Sequence, residues 1–443
     1  MTTRLAHILS VAGLALAPLA PAGCATPTSC SIAAGADGTA TLSCTDGSSY
    51  VIRQGADGAK GADGAKGVDG IDGSGKDGAD GTSCAVEQKA GTTTITCSDG
   101  STASISGGGG GAGVLPTFPT LAGNFNVESS ADIALLQAMA VTEITGILSI
   151  NSTALTDLSL LANITTVGNT LGIYSFGGTS LKGLENVTSV GGLYLCYFGG
   201  CPNLTSASEV TGFTTLATGS LEVGGDLLTS LTFPNLTTIA TGSLQVRGDL
   251  LTSLTFPNLT TIAGELGISG KAFTTVALPK LTSVGGNLGI SGVAKLTAFA
   301  LPELTTLGGA LEVVNSQELT ALTSVSLPKL TSAKHLYFLE LNELSSINFA
   351  KLATVSNDGG AGLLIRNCPK LASVAFPALT SAEKIIMESD ATLESVSFPL
   401  LTSCPYLAMT YCPKLPNCVC TDLANKLMVG ANCSNNDELG VCN

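Results

Sequence analysis

The chain contains no tryptophan and only seven tyrosines among 443 residues. A sugar-binding groove built on stacked aromatic rings would have little to work with. Only two histidines occur, His7 and His335. His7 lies in a segment read below as a leader, so a Ser-His-Asp or Cys-His site would rest on His335 alone. Flanked by Lys334 and Leu336 at the start of a rung, His335 reads as a surface side chain. Charged residues make up 12% of the chain, less than half the usual share. The net charge is −14 and no basic run occurs, which argues against nucleic acids and anionic membrane surfaces as partners. No apolar stretch is long enough for a membrane-spanning helix, and no hydrophobic tail suggests a glycolipid anchor.

The first residues carry an export signature. Arg4 supplies a positive start, Ile8–Ala17 a short apolar run, and Ala20-Pro21-Ala22 a small-residue cleavage site. This reads as a signal peptide over residues 1–23. Gly23-Cys24 also fits a lipoprotein processing site, with Cys24 as the lipidation candidate, although Pro21 stands where leucine is usual. Simple secretion and lipid anchoring both place the mature chain outside the cell or on its surface.

Fourteen cysteines in an exported chain imply disulfides. They form brackets: Cys30 with Cys44, Cys84 with Cys97, and Cys196 with Cys201. A C-terminal group holds Cys404, Cys412, Cys418, Cys420, Cys433 and Cys442, all disulfide candidates. Cys418-x-Cys420 lacks the paired spacings and the histidines of usual zinc sites, so no metal is expected there.

Two similar Cys-bracketed units, 24–53 and 82–105, flank a Gly-x-y tract over 54–81. Each unit has an alternating segment before its second cysteine, Thr39–Ser43 and Thr92–Thr96, and turn residues upstream. Two strands with a cross-strand disulfide account for this, the disulfide replacing a missing core. The Gly-x-y tract reads either as a collagen-like triple helix, which would trimerise the chain, or as a charged flexible linker. It has no proline and its register slips at Gly73-Ser-Gly75, which favours the linker. These units resemble the small Cys-bracketed modules beside Gly-Ala-Asp spacers in some bacterial surface proteins. A Gly-rich linker over 106–116 marks the boundary to the main domain.

That domain is an array. Gly225–Ala240 reads GDLLTSLTFPNLTTIA, and Gly248–Ala263 repeats it letter for letter 23 residues later. From about Gly146 the chain divides into about twelve rungs. Each opens with a Leu-x-Ile type strand, such as Leu171/Ile173, Leu221/Val223, Leu288/Ile290 or Leu336/Phe338. A strand this short buries nothing alone, but stacked rungs put Leu on Leu and Ile on Ile. The expected fold is therefore all-β, a right-handed parallel β-solenoid over 117–415, preceded by a disordered, hairpin-containing stalk. At about 4.8 Å per rung its length would be about 57 Å. Thr237, Thr260, Thr282, Thr305, Thr331, Thr380 and Thr402 recur after leucine and are expected to form a ladder whose hydroxyls bond between rungs. A short helix over Ala131–Met139 is expected to cap the first rung, and a disulfide-knotted segment over 416–443 the last. Cys368 and Cys412 occupy equivalent positions two rungs apart, about 9.6 Å, beyond disulfide reach. Cys368 is therefore expected to be a free, buried thiol.

The Leu-x-Ile, Leu-Thr-x-Val and Pro-x-Leu-Thr-x-Val pattern over about 144–415 resembles the receptor L-domain, a β-helix related to leucine-rich repeats. The resemblance implies ligand recognition outside the cell. The chain departs from receptor ectodomains in lacking furin-like Cys-rich modules and a transmembrane helix.

No catalytic residue, cofactor or metal ligand is assigned. Asp226 and Asp249 stack one rung apart, but they arise from the copied repeat and read as turn residues. Seven Asn-x-Ser/Thr sequons, at Asn151, Asn163, Asn186, Asn203, Asn235, Asn258 and Asn432, read as repeat grammar. The expected contact surface is the outward row of the first strand, Tyr194, Glu222, Gln245, Gly267, Gly289, Glu312, Tyr337 and Leu364, joined by Arg247, Arg366 and Glu388. The functional expectation is a non-enzymatic surface or secreted protein that binds an extracellular protein or glycan. A carbohydrate-active enzyme on the same scaffold and a passive structural protein are the competing readings.

Overall fold

The computed structural model describes residues 119–438 apart from 226, 315–320 and 357–361, with the side chains of 197–199 left aside. It also describes the backbone of six N-terminal strands. The signal peptide, Cys24, the Gly-x-y tract, the Gly-rich linker, Asp226 and Cys442 lie outside the described residues.

The N-terminal strands form two three-stranded sheets, one strand more in each unit than the sequence suggests. Cys30–Ala34, Thr39–Cys44 and Ser49–Arg53 are antiparallel, with Cys30 directly opposite Cys44 in register. Cys84–Lys89, Thr92–Cys97 and Thr102–Ser106 follow the same order. The third strand uses the alternating residues after each second cysteine, which extend the hairpin into a meander.

From Thr120 onward the chain is a parallel β-solenoid of about 13 turns. One turn shows how the sequence builds it. Leu244–Arg247 forms a front strand, Ser253–Thr255 a side strand and Thr261–Ile262 a corner strand. The front strand then restarts at Leu266, paired in parallel with Leu244. Front strands pair in this way from Phe125–Val127 through Ala431–Asn432. Their alternation is the reason for the inside and outside. Leu244 and Val246 are fully buried, as are Leu221 and Val223 one turn earlier, while Glu222 and Gln245 are part exposed. Hydrophobic residues from every turn merge into one continuous core.

Two further ladders reinforce it. Phe213, Phe233 and Phe256 stack with centroids 5.8 and 5.2 Å apart. Phe338, Phe349, Phe376 and Phe398 form a second file at 5.9, 5.7 and 5.9 Å, the first pair edge-on and the other two stacked. The threonine ladder uses backbone acceptors. Thr237, Thr260, Thr282 and Thr305 each donate Oγ1 to the carbonyl of the equivalent residue one turn earlier, at 3.0–3.1 Å. Thr331, Thr380 and Thr402 continue the pattern. At three sequons asparagine has the same role: Asn186, Asn203 and Asn258 donate Nδ2 to carbonyls of the preceding turn at 2.7–2.8 Å. Where turns come closest only glycine fits: a Cβ at Gly308 would sit 2.0 Å from the Gly285 carbonyl oxygen.

The first turn begins earlier than the sequence suggests, at Thr120–Leu121 and Phe125–Val127. The expected N-terminal helix, α1 (Ser130–Ala138), sits inside that turn, after its front strand. Asp132 accepts hydrogen bonds from the Ser129 N–H and hydroxyl, both at 2.9 Å, closing the helix start. Ile133 and Leu136 point into the core. At the other end α2 (Asn417–Leu427) buries Cys420, Ala424 and Leu427 and is stapled to the end of the last front strand by the Cys420–Cys433 disulfide.

The cysteines divide in a way the sequence indicates only in part. Cys196–Cys201 and Cys420–Cys433 are disulfides, and Cys418 is disulfide-bonded as well. Cys368 is a free, fully buried thiol. Cys404 and Cys412, expected in disulfides, are free and buried too. Each faces inward and hydrogen-bonds local backbone: Cys404 to the Tyr406 carbonyl, Cys412 to the Thr410 carbonyl. Burial pushes both thiols up to about 11. They are core residues of the last turns rather than members of the cap.

Candidate binding face

The outward positions of the front strands fall in strict register: Gly172, Tyr194, Glu222, Gln245, Gly267, Gly289, Glu312, Tyr337, Leu364 and Ile386. A second file runs beside it, Arg247, Ser269, Ser291, Val314, Leu339, Arg366 and Glu388. All eleven sequence-assigned contact residues therefore lie on one face of one ladder. Leu364 sits in the file but is only 8% exposed, so it offers no contact.

The face has two polar clusters. In the first, the rings of Tyr174 and Tyr194 lie 6.2 Å apart, and Tyr194 hydrogen-bonds Glu222. Burial, then the Glu222 charge, pushes the Tyr194 phenol up to about 12. Burial also raises the Glu222 carboxyl, against the stabilising Tyr194 hydrogen bond and the Arg247 charge. Tyr174 is absent from the sequence-assigned face. The ladder is irregular there: Ile150 pairs with Ile173 and Asn151 with Ser175, so Tyr174 is an extra residue. Such a bulge re-aims a side chain. The Tyr174 ring turns back over Gly172, where a Cβ would meet it at 2.4 Å. The only sequence signal was an aromatic beside a glycine at an outward position.

In the second cluster, His335 stacks on Tyr337 at 5.5 Å. Burial raises the Glu312 carboxyl, and the Glu265 charge adds to this. Further along, Arg366 pairs with Glu388 at 2.9 Å. Both side chains are more than a third exposed, so this pair is worth little stability and mainly holds two charges in place. Between the clusters lie two glycines. The Gln245 side chain covers Gly267, whereas a Cβ at Gly289 would meet nothing within 4 Å. The middle of the face is therefore an open, flat floor flanked by walls of mixed polarity.

The Asp226 and Asp249 pair is not supported by the geometry of its second member, which lies 3.7 Å from Lys271 in an exposed ion pair. Among the described residues no group of three His, Cys, Asp or Glu side chains is placed to hold a metal ion. Among them, too, no helix is long and apolar enough to cross a membrane. Comparison with protein-family models, curated proteins and solved structures finds no match.

Proposed function

We propose that this protein is a non-enzymatic secreted or cell-surface binding protein whose front face recognises an extracellular protein or glycan. The observation that carries the reading is the face itself. An invariant Leu-x-Ile interior supports an outward file that changes from turn to turn, and its Tyr174–Tyr194–Glu222–Arg247 cluster sits on a rigid sheet. Rigid scaffolds with variable outward side chains suit recognition, because little entropy is lost on binding. The resemblance of the rungs to receptor L-domains and leucine-rich repeats points the same way. Export, lipid attachment at Cys24, and a stalk that holds the solenoid away from the surface belong to the same proposal.

The test is a binding screen of the full chain against a glycan array and a panel of extracellular proteins. Substitution of Tyr194 and Arg247 by alanine is expected to weaken any ligand found by tenfold or more. A ligand indifferent to these two and to Tyr337→Ala would place recognition elsewhere. Turnover of an acidic polysaccharide, lost on Asp226→Asn or Asp249→Asn, would replace this reading with an enzymatic one.

A further inference from the structure

Side strands appear only from the duplicated rungs onward, and the first of them has an uncovered edge. Ser230–Thr232 is the edge strand of a three-stranded parallel sheet completed by Ser253–Thr255 and Thr275–Ala277. The turn before it has no strand there. It takes 28 residues from Leu193 to Leu221, against 23 from Leu221 to Leu244. In place of a side strand it has a short 3₁₀ segment, Ser208–Val210. Ala207 and Val210 fill the core.

The hydrogen bonds record the gap. Thr252 and Thr274 donate Oγ1 one turn back, to Thr229 and Thr252, and Thr205 donates to Thr179. Among the described residues no bond joins Thr229 to Thr205. Amide directions alternate along a strand. The Phe233 N–H donates forward to the Thr255 carbonyl at 3.1 Å, so Ser230 and Thr232 turn their N–H and C=O groups backward, toward the gap. Among the described residues no backbone group pairs with them there. A cleft of about 390 Å³ lies against this edge. Thr205, Ser206, Ser208 and Thr211 form one wall, Ser230 and Thr232 the other, and no charged side chain lines it.

We infer that this cleft is a peptide-docking edge, which takes an extended segment of a partner protein as an added strand. Two donors and two acceptors spaced at the strand repeat match a polypeptide backbone, which is how strand addition gains affinity. Three edge residues span about 10 Å, enough for three or four residues of an incoming strand. The hydroxyl lining and lack of charge select small, uncharged side chains. This site lies on the side face and does not depend on the front face being a recognition surface.

The experiment titrates the full chain with a pool of end-capped hexapeptides randomised over Ala, Ser, Thr and Val. Amide hydrogen exchange at Ser230 and Thr232 is followed by nuclear magnetic resonance. Binding is expected to slow exchange at both amides. Alternate N-methylation of the selected peptide is expected to weaken it about fivefold to tenfold per blocked bond. Thr232→Pro removes an outward N–H at an edge position where proline is tolerated, and is expected to do the same. Ser208→Trp, on an exposed residue, blocks the cleft without touching the strand and controls for misfolding. No protection by any peptide, or binding that survives N-methylation, would overturn the inference. So would self-association lost in Thr232→Pro without peptide binding, which would assign the edge to a second copy.

Discussion

Replacing Asp390 with asparagine probes a polar ladder inside the C-terminal turns. Asp390 is fully buried. Its Oδ1 accepts the Cys368 N–H at 2.8 Å, while Oδ2 has no hydrogen-bond partner. Asn436 has the matching role further along the ladder, accepting the Cys412 N–H at 3.1 Å and donating Nδ2 to the Met409 carbonyl at 2.7 Å. Burial pushes the Asp390 carboxyl up to about 7 from 3.8; the Cys368 N–H opposes this and the Glu388 charge adds to it. The other titratable groups that face it are the thiols of Cys368 and Cys412, both pushed upward and neutral in this range. A carboxyl raised on folding prefers its proton in the folded state. Its contribution is full below pH 3.8 and is lost as pH rises to about 7. The gap between 3.8 and about 7, at 1.36 kcal/mol per pH unit, is worth about 4 kcal/mol. Roughly 2.5–3 kcal/mol of this falls between pH 5 and 8. Asp390→Asn keeps the acceptor for Cys368 and removes the charge. The variant is expected to be more stable than the parent at pH 8, and to lose the parent's decline from pH 5 to 8. Urea unfolding at several pH values, with hydrogen exchange at the Cys368 amide to localise the effect, measures both. Equal parent stability at pH 5 and 8, or a variant weaker than the parent at pH 8, would refute the reasoning.

Other consequences are as direct. Thr260→Val keeps the shape but removes the 3.0 Å bond to the Thr237 carbonyl, and a loss of about 0.5–1.5 kcal/mol is expected in urea unfolding. Phe233→Ala empties the centre of an aromatic file and is expected to cost about 3–5 kcal/mol, read as a fall in thermal midpoint. Cys368, Cys404 and Cys412 are expected to resist a thiol reagent in the folded protein and to label after denaturation without reductant, as peptide mass spectrometry would show; rapid native labelling of Cys368 would contradict its burial.

Much of the fold was legible because a solenoid repeats its physics. Every Leu-x-Ile pair faces the same environment, so periodicity alone exposed the front ladder, the threonine ladder and the register of the outward file. The equivalence of Cys368 and Cys412 followed from counting. What escaped was aperiodic. Tyr174 joined the face through a bulge, and α1 sits within the first turn instead of capping it. The open edge at Ser230–Thr232 lies where the side sheet begins, beside a 3₁₀ segment rather than a strand, and no repeat dictates that.

The copied stretch from Gly225 to Ala263 shows the division most clearly. Sequence by itself determined that these residues form stacked rungs, since identical segments can bury identical faces only by lying side by side. It also determined that the copies differ outward, at Glu222 against Gln245 and Gly224 against Arg247. Only the tertiary structure decided what those differences meet. Glu222 bonds Tyr194 on one side and feels Arg247 on the other, because stacking brings residues from successive turns to within a few ångströms. Likewise only the stacked structure decided that Cys404 and Cys412 stay free, because each faces inward onto local backbone instead of another cysteine.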